Sequence, residues 1–282
     1  MAFAGPPLTW LYVPGDRPER FEKALASDAD RVIIDLEDAV APDHKEQARD
    51  AVREFLGDPP TKPIEVRING LDTPWASADL AAVATLAGLG GVRVPKVAST
   101  DDVRAVAEAL PAQGTVGIHI LIETAIGLEM AFQVATAHAF VASMGLGEAD
   151  LRSDLGVEEA GLAWVRSRIV VAARAAGLPA PAMSVYTALD DDAGLAASCR
   201  AGRALGFVGR AAIHPRQLPV IVEAFLPPES EVAEAAQLLE SIKAAREDGK
   251  GAIVIPGVGF VDQAMVGRAR LLVQLGARRG LR

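Results

Sequence analysis

Short apolar runs alternate with longer amphipathic segments along most of this chain, and each run ends in polar or charged residues. Four early runs, TWLYVPG, RVIIDLED, IEVRING and GVRVPKV, read as strands. They deliver Pro14 and Gly15, then Asp35, Glu37 and Asp38, then Arg67 and Asn69, then Lys96. Two further runs, VGIHILIET and HAFVASMGLGEAD, deliver Glu123 and Asp150. Side chains alternate along a strand, so His119, Leu121 and Glu123 share one face of the fifth run. An acid at the last inward position of an isoleucine-rich strand is expensive unless a partner waits for it. In the sixth run Met144, Gly145 and Gly147 loosen the backbone ahead of Glu148 and Asp150.

The intervening segments predict helices. Residues 18–25 open with Pro18 and acids, residues 43–56 carry apolar positions at helical spacing, and Thr100 or Asp101 caps a helix running to Leu110. The segment AIGLEMAFQVATA is an amphipathic helix joining the fifth and sixth runs. Positions 35, 67, 96, 123 and 150 recur at intervals of about 30 residues, the length of one βα unit. Residues 152–176 then predict one long helix, with Ser153 and Asp154 as caps and Gly177 and Pro179 as its stop. A seventh strand is expected at 182–186, a helix at 191–205, and an eighth strand at 209–213.

Eight alternating units predict an α/β chain, a (β/α)8 TIM barrel over residues 1–226 with its active site at the C-terminal strand ends. A doubly wound open sheet is the rival. It is disfavoured because no GxGxxG follows the first strand and the repeat is unbroken. After Pro227 and Pro228, residues 227–282 predict a C-terminal helical extension. It holds a helix at 229–247 with Val232, Ala235, Leu239 and Ile242 on one stripe, closed by Gly249. A hairpin in GKGAIVIPGVGF and a last helix near 263–275 follow. Such a piece is too small to bury its own core and is expected to pack on the barrel or on a neighbouring subunit.

Composition narrows the function. Of 282 residues half are hydrophobic, enough for one large core or two modest ones. Twenty-eight basic against 37 acidic residues give a net charge of −9, which argues against nucleic acid or an anionic membrane as partner. The single cysteine, Cys199, excludes an internal disulfide framework and fits a reducing, cytoplasmic setting; no signal peptide is evident. Residues 130–147 lack formal charge over a membrane-compatible length. Their Gln133, Thr136, His138 and Ser143, and the helix-to-strand change, favour a buried soluble segment.

Parallel strands joined by crossover helices bring Glu123 and Asp150 to the same sheet edge, where they are positioned to share a divalent cation. The bland readings are a buried ion pair for Glu123 and a helix cap for Asp150. Zinc is disfavoured, because His44, His119, His138 and His214 lack ligand spacing.

The segments WLYVPGDRPERFEKA, DLEDAVAPDHKEQAR, VRINGLDT, PKV, IETAIGL, GLGEADLRSDLG, GFVGRAAIHPRQ and GFVDQAMVGRAR run in order over nearly the whole chain. Together they resemble the citrate lyase β-subunit-like family, within the 2-keto-acid aldolase and malyl-CoA lyase group. The resemblance implies a magnesium-dependent barrel enzyme acting on a carbon–carbon bond of a 3-hydroxyacyl thioester. It also implies a homotrimer or higher oligomer whose C-terminal segment covers a neighbouring active site.

On that resemblance Glu123 and Asp150 match the metal ligands, Mg2+ completing its shell with water and an oxaloacetate-like 2-keto acid. Arg67 would take a substrate carboxylate with its planar fork, or else pair with Glu65 or the Asp35, Glu37 and Asp38 cluster. Glu37 is expected to orient metal waters or Arg67, and Lys96 either adds positive potential or pairs. Asp262 is the candidate acid/base, reaching in from an adjacent subunit, or simply the cap of the last helix. Arg17, Arg20 and Arg210 are candidates for the phosphates of CoA or an acyl-carrier protein, with ordinary surface charge as the alternative. Arg210 departs from the lysine more usual in the family.

Overall fold

The computed structural model describes residues 5–112, 116–247, 253–255, 259–261 and 265–279. The chain divides into two compact units, one of them Pro7–Val222 and the other continuing from Glu223.

In the first unit strands and helices alternate as the runs predict. The order is β1 (Thr9–Pro14), α1 (Phe21–Leu25), β2 (Arg31–Asp35), α2 (Lys45–Phe55), β3 (Ile64–Arg67) and α3 (Ala76–Val83). Next come β4 (Leu89–Val94), α4 (Thr100–Ala109), β5 (Gly117–Ile122), α5 (Ala125–Glu129), α6 (Ala131–Ala135) and β6 (Val141–Leu146). The unit continues with α7 (Glu148–Leu155), α8 (Leu162–Ala175), α9 (Asp192–Leu205), β7 (Arg210–Ala212) and the start of α10 (Gln217–Phe225).

Seven strands form one sheet in the order β6-β5-β4-β3-β2-β1-β7, every neighbouring pair parallel. A crossover helix between successive parallel strands returns each strand to the same end of the sheet, so all the strand C-termini share one rim. Strands buried on both faces need continuous apolar runs, and Val32, Ile33, Ile34, Ile118 and Ile120 are all fully buried.

The expected seventh strand is reduced to a single parallel bridge, Met183 to Arg210. The Met183 amide donates to the Gly209 carbonyl at 3.0 Å and the Ala211 amide to the Met183 carbonyl at 3.0 Å. Pro181 just before it has no N–H to give to a ladder. Towards β6 the contact is by side chain, the Ser184 hydroxyl donating to the Leu146 carbonyl at 2.5 Å.

Three helix expectations need correction. The α4 cap is Ser99, not Thr100 or Asp101, in a capping box with Asp102. The segment after Glu123 is two short helices, with Met130 between them and Thr124 capping the first. The long helix expected at 152–176 is also two: α7 begins at Glu148 and stops at Gly156, whose φ of 65° a side chain would strain. Ser153 and Asp154 therefore lie inside α7, and Asp154 accepts instead from the Ala125 amide at 2.6 Å.

The second unit contains α11 (Glu229–Glu247), an antiparallel pair of β8 (Ile253–Ile255) and β9 (Gly259–Val261), and α12 (Val266–Gly276). Along the stripe of α11, Ala235 is buried while Val232, Leu239 and Ile242 are partly covered. Gly249 lies outside the described residues. No helix among the described residues is long and apolar enough to cross a membrane.

Candidate active site at the strand ends

Five consecutive βα units each send one charged side chain to the common rim. Glu37 stands two residues past β2, Arg67 ends β3, Lys96 follows β4, Glu123 follows β5, and Asp150 lies in the first turn of α7. The helix begins at Glu148 with Gly147 in the cap position, so Asp150 is not its cap. The Lys96 ammonium lies 2.9 Å from Glu37 Oε1, 3.8 Å from Glu123 Oε2 and 3.9 Å from Asp150 Oδ2. The two carboxylates expected to share a cation thus converge on one positively charged atom.

Glu123 is the strained member. Its Oε2 is buried and has no hydrogen-bond donor. Burial, then the neighbouring Glu37 charge, push its pKa up to about 7, against the pull of Lys96 and Arg67. Burial also raises Glu37, although Arg67 and Lys96 lower it. Desolvation works against the Lys96 charge, but its bond to Glu37 and the surrounding acids win and raise its pKa. Lys96 is the single non-glycine with positive φ among the described residues, at 54°. A left-handed lysine costs on the order of 1–3 kcal/mol and persists where its surroundings hold it.

The room for Glu123 is made by Gly147. A Cβ there would sit 2.1 Å from Glu123 Oε1 and 2.6 Å from its Cδ. A hard cation suits such a place, with two carboxylates, one carrying an oxygen that lacks a donor. No group of three or more His, Cys, Asp and Glu in metal-holding positions occurs among the described residues. Magnesium does not require one, since it commonly binds through one or two carboxylates and keeps water or substrate in its other positions.

Arg67 is held firmly. Its Nε donates to Asp35 Oδ1 and its Nη2 to Asp35 Oδ2, both at 2.7 Å. Nη1 lies 2.8 Å from Glu37 Oε2 and 3.4 Å from Asp38 Oδ2. The side-on edge of the guanidinium is therefore committed to Asp35, so a two-point grip on a second carboxylate through that edge is closed. Asp35 is almost fully buried, and of the three clustered acids it is the one that takes two bonds from Arg67.

A second layer fixes the turn that carries Glu37. Buried Lys45 donates to the carbonyls of Leu36 and Glu37, both at 2.7 Å, and to Asn69 Oδ1 at 2.6 Å. Asn69 in turn donates to Asp79 Oδ2 at 2.6 Å. Neither Lys45 nor Asp79 carried a signal in the sequence alone, and Gly147 reads there only as loosening the backbone before Asp150.

The candidate carrier-binding arginines separate. Arg17 and Arg20 are exposed, 3.9 Å from Asp16 and 3.8 Å from Glu19. Arg210 is not a surface residue, being 2% exposed. Its Nε donates to the Ser184 carbonyl at 2.8 Å and its Nη1 to Cys199 Sγ at 3.5 Å. Its backbone forms the bridge to Met183, and so buried a side chain has no free face for a phosphate. Asp262 lies outside the described residues.

Comparison with known proteins finds relatives over nearly the whole chain. An L-malyl-CoA/beta-methylmalyl-CoA lyase of Cereibacter sphaeroides is 35% identical, over 94% of this chain and 92% of its own length. A (3S)-malyl-CoA thioesterase of the same species is 38% identical, over 88% of this chain and 87% of its own. The crystal structure of CitE from Mycobacterium tuberculosis with magnesium, acetoacetate and coenzyme A superposes with a TM-score of 0.78 at 33% identity. That match covers 97% of this chain and 99% of the other. A citrate lyase beta subunit from M. tuberculosis, complexed with oxaloacetate and magnesium, gives 0.70 at 36% identity over 80% of this chain and 99% of its own. Residues 8–215, the span that carries all five rim side chains, match the family model itself, and the chain therefore belongs to the HpcH/HpaI aldolase/citrate lyase family.

Proposed function

We propose that this chain is a magnesium-dependent carbon–carbon lyase. It splits a 3-hydroxyacyl thioester of malyl, citramalyl or citryl type into an acyl thioester and a 2-keto acid, or joins the two in reverse. The observation that carries this reading is the convergence of Glu123 and Asp150 on one cationic atom at the strand ends, beside a buried Glu123 oxygen without a donor. The relatives crystallised with magnesium together with oxaloacetate, or with acetoacetate and coenzyme A, support it.

Glu123 and Asp150 would hold the ion, which when bound supplies Lewis-acid stabilisation to the carbonyl oxygen of the keto acid. Cleavage breaks the bond between the carbinol carbon and the carbon beside the thioester carbonyl. The hydroxyl loses its proton and becomes the keto group, and the bonding pair passes to the thioester enolate. Arg67 offers the end of its guanidinium to the substrate carboxylate while Asp35 holds its other edge. Glu37 keeps Arg67 and Lys96 in register, and Lys96 adds positive potential where charge develops.

Protonation of the enolate at carbon requires a positioned acid. We assign this to Asp262, delivered from a neighbouring copy by residues 227–282 acting as lid and assembly segment in a cytoplasmic homotrimer. Residues 181–184 serve as the eighth stave, which makes residues 1–226 a (β/α)8 barrel. Arg17 and Arg20 face the phosphates of CoA or of an acyl-carrier protein, and Arg210 drops out of that role. Asp262→Asn retains a helix cap and is expected to lose turnover; normal turnover would retire its catalytic part.

The 38% identity to a thioesterase favours a second reading, hydrolysis of the thioester itself. Incubation of the purified protein and Mg2+ with malyl-, citramalyl- and citryl-CoA and with the free acids separates them. Lyase activity gives a keto acid with no free thiol, and hydrolysis gives free CoA with no keto acid. Activity on free acids alone would mark an aldolase of keto-acid adducts, and none without added partners a dependent citrate lyase β subunit. Chelation by EDTA is expected to stop the lyase, and Mg2+ to restore it.

A further inference from the structure

Asp150 sits on a helix that cannot cap its own start. The cap position is Gly147, which makes no side-chain hydrogen bond, and any larger residue there would run into Glu123. A serine or aspartate cap, the usual means of fixing a first turn, is therefore excluded by the site itself. The turn is held from outside instead. Arg166, on α8, grips the first residue of α7 with two parallel bonds, Nε to Glu148 Oε1 at 2.8 Å and Nη2 to Glu148 Oε2 at 2.5 Å. The same Nη2 donates to Glu159 Oε1 at 2.6 Å. The Glu148 amide donates to the Ser184 hydroxyl at 3.4 Å. Glu148 and Arg166 side chains are 13% and 15% exposed, so the pair is mostly withdrawn from water, while Asp150 is 46% exposed.

We propose that Arg166 is a positioning residue for the metal: by its fork on Glu148 it sets the first turn of α7 and so the direction of the Asp150 carboxylate. The proposal rests on the reading that Glu123 and Asp150 hold magnesium. A fork is needed because one point of contact leaves Glu148 free to swing, whereas two fix its plane. The grip also neutralises an extra acid two residues from Asp150. Leu151 is fully buried and keeps α7 docked without the arginine, so loss of the grip loosens the turn and leaves the helix in place. Residues that orient metal ligands typically change metal affinity by about 10–100-fold.

The test is Mn2+ binding, with Mn2+ as the paramagnetic stand-in for Mg2+, followed by loss of the free-ion signal on titration into the full-length protein. Asp150→Asn, Arg166→Met, Arg166→Lys and Glu148→Gln are compared with the parent, each with its melting temperature. Asp150→Asn is expected to lose binding. Arg166→Met and Glu148→Gln should each weaken it at least about tenfold. Arg166→Lys, which keeps the charge but not the fork, should recover only part. The double variant Arg166→Met with Glu148→Gln should be no weaker than either single one, because both remove the same contact. Unchanged Mn2+ affinity in Arg166→Met and Glu148→Gln, with Asp150→Asn defective, overturns the positioning role and leaves the metal reading standing. A lower melting temperature with unchanged affinity overturns it equally. Unchanged affinity in Asp150→Asn defeats the metal reading first. Should Arg166→Met fail to fold, near-isosteric Glu148→Gln decides the matter.

Discussion

Substituting Gly147 by alanine is the sharpest probe of the site. The backbone there, φ −97° and ψ 87°, is open to an L-residue, so the added methyl brings no left-handed strain. Its cost falls on one neighbour. The new Cβ would lie 2.1 Å from Glu123 Oε1, whereas ordinary contact starts at 3.4 Å, so the carboxylate must retreat by ~1.3 Å. Overpacking of this kind costs about 1–3 kcal/mol of stability, which a flexible side chain partly relieves by turning away. The functional cost is larger in proportion. A displacement of about 1 Å in a reacting group can lower the rate ~100-fold, equivalent to about 2.7 kcal/mol of transition-state stabilisation. Gly147→Ala should therefore stay folded and lose about 100-fold in kcat/KM, together with most of its Mn2+ affinity. The assay is keto-acid release from the preferred thioester over a range of Mg2+ concentrations. Parental kcat/KM at all Mg2+ levels would refute the claim that Glu123 must occupy this space.

Other perturbations have equally defined outcomes. Asp35→Asn removes the charged partner of a mostly buried arginine and should cost about 3 kcal/mol, seen as a fall in the urea midpoint along with lost turnover. An unchanged midpoint would mean that Glu37 and Asp38 suffice. His119, close to Glu65 and hydrogen-bonded to Ser143 at 2.7 Å, has its pKa lowered by burial from 6.5 to about 4, despite the raising effect of Glu65. Between those values the unfolded chain takes up a proton that the folded one refuses, so the stability that neutral His119 contributes should fall as pH drops from 6.5 towards 4, by at most about 3 kcal/mol. Glu123, raised to about 7, takes up a proton in the folded state over the same window and works in the opposite direction. The difference in urea midpoint between pH 7 and pH 5, compared in the parent and in His119→Gln, isolates the histidine from Glu123, and both pH values lie above the 4.5 at which Glu65 of the unfolded chain titrates. A slope unchanged in His119→Gln would assign the effect elsewhere. Gly91→Ala should be poorly tolerated, because its Cβ would meet the His119 ring at 2.4 Å; a parental melting temperature would show that the ring has room to move.

Much of this protein was legible before any coordinates. The alternation of apolar runs and amphipathic segments is local, and it placed all seven strands of the parallel sheet, the helix ending at Leu205 before Gly206, and the helix at 229–247. It also brought Glu37, Arg67, Lys96, Glu123 and Asp150 to one rim, because a crossover helix returns every strand to the same end. What the sequence did not carry were the contacts between units. The spacing of 35 and 67 by one βα unit left Arg67 free to pair with the Asp35, Glu37 and Asp38 cluster or with substrate, and Lys96 to pair or not. Which acid takes which edge of Arg67, and that Glu37, 59 residues from Lys96, shares its ammonium, only the packed strands decide. The left-handed turn at Lys96 and the space Gly147 leaves for Glu123 are likewise set by neighbouring strands. Arg210, expected in a strand at 209–213 and offered there as a phosphate contact, is buried because its backbone bridges Met183. Periodicity specifies which face a residue is on; which groups meet across that face is decided only when the strands are laid side by side and charges leave water together.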